Sequence, residues 1–242
     1  MHLNGKTAIV TGASSGIGAE FSKALTQKGC RVYGIARRRE RLDDIRIKLG
    51  DLFVPVTLDI TDYEKVASWV ASTFKTDAAS GAGSSPDILV NNAGLGLFGP
   101  VDELPPEEWD IMIQTNLTAV FRLTRLIVPL MKKHDATNHI VNIASVAGLL
   151  GNPNLSGYNA SKFGLRGFSE ALFKELRNFR IKVTCLFPGS IATEFFEGHG
   201  GTHPNMMQGS DVAHTLIHVL ETPDNFLINE ITMRPLIPKP PA

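Results

Sequence analysis

The sequence predicts an α/β fold: one doubly wound parallel sheet with helices on both faces, in a single domain. Three observations lead there. Short apolar runs alternate with helical stretches from one end of the chain to the other. Several runs are apolar throughout, as in Ile88-Leu89-Val90, which marks strands covered on both faces. Repeated strand–helix–strand units imply parallel neighbours and right-handed crossovers. The 242 residues suit one large domain of this kind, and a hydrophobic content of 43% supports a sizeable core.

The elements follow in order. Residues 7–10 are a short apolar strand that stops at Gly12. Residues 17–28 have helical spacing, with Ile17, Phe21, Ala24 and Leu25 on one face, and Gly29 ends them. Residues 31–36 read as a second strand, 38–49 as a charged surface helix ended by Gly50, and 52–58 as a third strand. Residues 62–74 read as a helix capped at Thr61 or Asp62. Residues 75–86 are a low-complexity surface loop rich in Ala, Ser and Gly. The alternation continues unchanged beyond it, so it separates no domains. A strand at 88–90 precedes a long helical region at 107–133, which begins after Pro105-Pro106 and carries Pro129 near its end. A fifth strand at 139–144, a long helix at 157–178 and a sixth strand at 181–187 come next, the last closed by Pro188-Gly189. Residues 194–209 are rich in Gly, His and Met without a clear period and read as a mobile substrate loop. A helix at 210–220, a last strand at 229–233 and an extended proline-rich tail at 235–242 complete the chain.

The formal net charge is zero, which gives no support for nucleic acid, an acidic carrier protein or an anionic membrane as partner. Cys30 and Cys185 lie in apolar strands or at their edges and read as buried thiols, not a disulfide framework. The first residues lack a charged-then-apolar leader pattern. No apolar run is expected to reach the ~18 residues of a membrane span. The expectation is a cytoplasmic protein.

Candidate chemistry gathers at the strand ends, where ligands bind in such folds. Tyr158 and Lys162 are four residues apart, so a helix puts both on one face. A phenol with a pKa near ~10 is a poor acid at neutral pH. An ammonium close by favours the phenolate and is expected to lower that pKa. Ser145 ends the fifth strand, thirteen residues before Tyr158, within reach of the same crevice. Thr11-Gly12-Ala13-Ser14-Ser15-Gly16-Ile17-Gly18 lies between the first strand and the first helix, where a dinucleotide pyrophosphate meets a helix N-terminus. A carboxylate on the ribose 2′-hydroxyl is usual ~20 residues beyond the first glycines. Here Ala36 is followed by Arg37-Arg38-Arg39. Asp59 ends the third strand and suits either an adenine amine or a helix cap. Asn91-Asn92-Ala93-Gly94 ends the fourth; its amides either stitch neighbouring strands or line a cofactor. Asn116 sits inside a helix, an unfavourable place that suggests a polar task. His214 and His218 are four apart on a helix, but no third ligand is in register, so no metal is expected. Ser145 lacks the Gly-x-Ser-x-Gly setting of a hydrolase elbow.

Taken together these residues resemble the short-chain dehydrogenase/reductase family, in its branch of about this length. The Thr11–Gly18 turn, Asp59, Asn91 to Gly94, Asn116, Ser145, Tyr158, Lys162, Pro188-Gly189 and Thr193 run in family order over nearly the whole chain. The resemblance implies a Rossmann-like fold and a hydride transfer between a nicotinamide and a carbonyl or secondary alcohol. It implies Tyr158 as acid/base, Ser145 orienting the substrate oxygen, Lys162 lowering the Tyr158 pKa and holding the ribose, and Asn116 holding a relay water. Cofactor contacts are then expected at Gly12, Ser14, Ser15, Gly16, Ile17, Gly18, Arg37, Arg38, Asp59, Ile60, Asn91, Ala93, Gly94, Pro188, Gly189, Ile191 and Thr193, besides Tyr158 and Lys162. Ala36 and Arg37 point to NADP. Ser15 takes a place that is basic in some NADP-preferring relatives. A homo-oligomer, dimer or tetramer, is expected from the two long helices. Substrate readings include a small 3-hydroxy acid, broad carbonyls, a 3-oxoacyl-carrier-protein and a pterin-type ketone. A catalytically silent NADP sensor is the reading from another class, and the intact Ser/Tyr/Lys set weighs against it.

Overall fold

The computed structural model describes residues 1–74, 85–133, 135–196 and 201–237. Seven parallel strands form one sheet: β1 (Thr7–Thr11), β2 (Arg31–Ala36), β3 (Phe53–Thr57), β4 (Ile88–Asn91), β5 (Asn138–Ile143), β6 (Ile181–Pro188) and β7 (Glu230–Met233). Their order is β3-β2-β1-β4-β5-β6-β7. The chain winds outward from β1 to β3, then returns to β4 on the other side of β1. That reversal opens a crevice at the carboxyl ends of β1 and β4, the usual ligand position in such sheets.

Apolar residues on successive strand positions face opposite layers. Ala8 and Val10 of β1 pack with α1 (Gly16–Gln27), α2 (Arg39–Leu49) and α7 (Gly209–Leu220), through Phe21, Leu25, Leu42, Val212 and Leu216. Ile9, between them, packs the other way with α3 (Tyr63–Thr73), α5 (Ala119–Met131) and α6 (Ser156–Leu176), through Val66, Val70, Leu123, Ile127 and Leu172. Every one of these side chains is buried, so the sheet is covered on both faces. Cys30 and Cys185 are free buried thiols.

Each expected strand and helix is present, with ends shifted by a few residues at most. Asp62, not Thr61, caps α3 by accepting from the Lys65 amide. The loop expected at 75–86 falls almost entirely outside the described residues, as does the end of the tail. Residues 201–208 of the expected substrate loop are tied to the sheet end: Met207 pairs with Ile191, and Met206 is buried. The long helix expected at 107–133 departs most from the reading. It is α4 (Pro106–Ile113) and α5 joined by a π turn, Gln114–Thr118, that carries Asn116. A π turn inserts a residue into the ladder and recurs at functional sites. The combined helical stretch Pro106–Met131 is long and apolar enough to cross a membrane by length and composition alone. Here it packs against the sheet through Leu123, Ile127 and Met131, the behaviour of a core helix.

Candidate active site

A cleft of about 710 Å³ runs along the carboxyl ends of β1 to β6. That is the size of an ordinary small-molecule site. At one end β1 turns into α1. Gly12 has φ of 69° and leaves the strand through a left-handed turn. Gly18 packs so closely that an added Cβ would stand 2.2 Å from the Gly12 carbonyl oxygen. It does not line the cleft; its task is to let the turn close. Ser15 caps α1 with extended backbone, but its hydroxyl makes no capping bond. The first amides of α1 therefore remain for an anion at the helix N-terminus. The Ser15 hydroxyl instead accepts from Arg38 at 2.6 Å, and Ser14 accepts from the same guanidinium at 3.1 Å. Arg37 also lines the cleft.

The strand ends are held by polar bonds. Thr11 Oγ1 accepts from the amides of Asn92 and Ala93, both at 3.0 Å, locking β1 to the end of β4. Asn91 is buried and donates to Asn142 Oδ1 at 2.8 Å and Thr124 Oγ1 at 3.3 Å. Of the two readings for these amides, stitching is what Asn91 does, and it stays out of the cleft. Asn92, Ala93 and Gly94 line it. Asp59 lines it too, and its carboxylate accepts from the Thr61 amide and hydroxyl, a local turn and not a helix cap. Ile60, Pro188, Gly189, Ile191 and Thr193 complete this wall.

At the far end Ser145, Tyr158 and Lys162 converge. The Tyr158 backbone is set by a chain of buried bonds. Ser161 Oγ donates to Tyr158 O at 2.8 Å and accepts from Asn116 Nδ2 at 3.0 Å. Asn116 also clasps Leu95, accepting its amide at 2.9 Å and donating to its carbonyl at 2.8 Å. Asn116 is buried and lies behind the cleft wall, next to the Lys162 amine across Gly94. Asn159, beside the tyrosine, donates to Ala147 O and Leu150 O and fixes the loop after β5.

The electrostatics reverse one expectation. Burial pushes the Tyr158 phenol up to about 12, opposed by its hydrogen bond with Ser145. Burial also pushes the Lys162 amine down to about 8. The Lys162 Nζ lies 5.7 Å from the Tyr158 ring centroid and donates to Ile143 O at 3.0 Å. Desolvation thus outweighs the Ser145 hydrogen bond and sets the direction of the phenol's shift. At neutral pH the arrangement holds a protonated phenol beside a charged amine, the pairing a proton donor to an oxygen needs.

Residues 6–201 match the short chain dehydrogenase family. The chain belongs to that family. An uncharacterized oxidoreductase of Staphylococcus epidermidis is 31% identical over 231 residues, covering 96% of this chain and 97% of that one. Among solved structures, a serine dehydrogenase in its closed form complexed with NADP+ superposes with a TM-score of 0.86 at 32% identity, covering 95% of each chain. A 3-ketoacyl-(acyl-carrier-protein) reductase from Brucella melitensis complexed with NADH gives 0.82 at 28% identity, covering 95% of this chain and 97% of that one. This short-chain dehydrogenase is therefore an NAD(P)-dependent oxidoreductase.

Two groups in the dehydrogenase were missed from sequence. Glu194, directly after Thr193, pairs with Arg38 at 3.1 Å and also with Arg41. Neither partner is near it in sequence, so no local pattern announces the contact. Phe98 and Phe195 meet over Tyr158, with ring centroids 5.6 and 5.7 Å from it. They lie far apart in sequence, so no local spacing joins them. His214 and His218 are exposed on α7, and among the described residues no three metal-ligating side chains converge.

Proposed function

We propose that the protein is an NADP(H)-dependent carbonyl reductase or secondary-alcohol dehydrogenase of the cytoplasm. The observation that carries this is the convergence of Ser145, Tyr158 and Lys162 at the end of a cleft that starts at the α1 N-terminus. The residues present suit a nicotinamide dinucleotide. Open amides and the Ser14 and Ser15 hydroxyls suit its phosphates, the ends of β3 and β4 its adenosine, and Ile191 and Thr193 its carboxamide. When bound, that cofactor gives or takes the hydride. The chain supplies the rest. Ser145 donates to the substrate oxygen and holds it against Tyr158. Tyr158 gives that oxygen its proton in reduction, and removes it in oxidation. Lys162 offsets the charge that develops on the phenolate. Asn116 and Ser161 keep the tyrosine's backbone in place. The two buried free thiols suit a reducing compartment.

The test is NADPH oxidation, followed by absorbance, against a panel of aldehydes and ketones. Turnover with at least one class is expected. No turnover with any, with NADPH bound, would favour the silent sensor. A 3-oxoacyl-carrier-protein substrate is the weaker alternative, since zero net charge offers an acidic carrier no basic partner surface in bulk.

We also propose a homo-oligomer. Phe121 on α5 and Phe163 on α6 remain 49% and 43% exposed, beside partly buried Leu126, Phe168 and Phe173. Such a face on two adjacent helices suits a second copy. Light scattering at micromolar concentration should give a dimer or tetramer mass; a monomer mass refutes this.

A further inference from the structure

We infer that the substrate is an uncharged carbonyl compound bearing an aromatic or similarly bulky apolar group. This rests on the oxidoreductase reading above and narrows it. The space beside Tyr158 is an aromatic corner: Phe98 and Phe195 stand 6.2 Å apart and both flank the tyrosine ring. The backbone is shaped for them. A Cβ on Gly96 would fall 2.7 Å from the ring atoms of both Phe98 and Phe195, so a larger residue there would push the rings from their present positions. Leu95 and Leu155 line the same end. Among the described lining residues, the uncharged polar side chains include Ser145, Tyr158, Asn152, Thr115 and Ser190. Apolar walls with a few aimed polar groups select a flat apolar body attached to one oxygen.

The charges argue the same way. Among the described lining residues the cations are Arg37, Arg38 and Lys162. Both arginines belong to the β2 end, and Arg38 is already held by Ser14, Ser15 and Glu194. Lys162 is buried and donates to the Ile143 carbonyl. A substrate carboxylate seated among Phe98, Phe195 and Leu155 would lose its water without gaining a cationic partner, which is costly. The pocket therefore departs from what an amino acid such as serine requires, despite the likeness to a serine dehydrogenase.

The test uses one skeleton with and without a charge: ethyl benzoylformate and its free acid, benzoylformate. Calorimetry on the whole protein saturated with NADP+ reads binding without turnover, and NADPH oxidation reads reduction. Reduction adds a hydride to the ketone carbon and a proton from Tyr158 to its oxygen, as the nicotinamide is oxidised. The ester should bind at least ~10-fold more tightly than the acid, because an unpaired carboxylate is the costlier group to bury. Phe98→Ala and Phe195→Ala should each weaken the ester by ~3- to 10-fold, the scale of lost aromatic contact. Equal or tighter binding of the acid overturns the inference, and so does failure of the ester to bind at millimolar concentration. An ester that binds preferentially but is not reduced supports the pocket assignment and overturns the reductase reading instead.

Discussion

Tyr158→Phe should lower turnover by at least ~10²–10⁴-fold, the usual share of general acid–base help, while NADPH still binds. The substitution isolates one proton. The tyrosine is buried and its ring is packed between Phe98 and Phe195, contacts that phenylalanine preserves. The hydroxyl it removes is bonded to Ser145. Its backbone is held by Ser161, which the change leaves alone. The variant should therefore keep its fold and its cofactor affinity and lose the step at the substrate oxygen. Near-full turnover on a confirmed substrate would show that the proton comes from elsewhere.

The same pair sets an expected pH profile. With the phenol pushed up to about 12, Tyr158 is protonated throughout the neutral range. With the Lys162 amine pushed down to about 8, its charge is present below that value and is lost above it. In carbonyl reduction the phenol becomes phenolate as it gives up its proton, and charged Lys162 stabilises that change. Reduction measured as kcat/KM should therefore be level at low and neutral pH and fall above about 8. A reduction profile that stayed level to about pH 10 would contradict this role, because kcat/KM reports the groups of the free enzyme.

Periodicity made the fold legible because both faces of the sheet are buried. Runs such as Ile88-Leu89-Val90 are apolar throughout, and the helices between them carry one apolar face. The site was legible for a related reason. Its residues sit at strand ends and on α6, where sequence spacing dictates spatial spacing. What sequence could not give was the balance between opposing forces. The spacing of Tyr158 and Lys162 brings an ammonium near a phenol, but burial decides which way the phenol shifts, and burial depends on Phe98 and Phe195 from distant stretches. The π turn at Asn116 was equally hidden, since an inserted residue leaves the hydrophobic period of a long helix nearly intact. The Glu194 pairs with Arg38 and Arg41 span more than 150 positions and have no local signature.

Cofactor choice should rest on Arg37. We expect kcat/KM to favour NADPH over NADH by at least ~10-fold, as one charge-assisted hydrogen bond is worth roughly 1.5–3 kcal/mol, about 10- to 150-fold. Ala36 ends β2 where a ribose-binding carboxylate would both accept from a 2′-hydroxyl and repel a 2′-phosphate. Two arginines follow, and the structure separates their tasks. Arg38 is committed: Ser14, Ser15 and Glu194 take up its donors. Arg37 is exposed, lines the cleft and makes no hydrogen bond or ion pair among the described residues. Its planar fork is thus open to a phosphate, with charge and geometry both in favour. Arg37→Ala should erase most of the NADPH preference and spare NADH use. Arg38→Ala should instead weaken both cofactors, because it loosens the Ser14-Ser15 turn over the shared pyrophosphate. Equal efficiency with both cofactors in the wild type would refute the assignment. Loss of the preference in Arg38→Ala alone, with NADH use intact, would transfer the role from Arg37 to its neighbour.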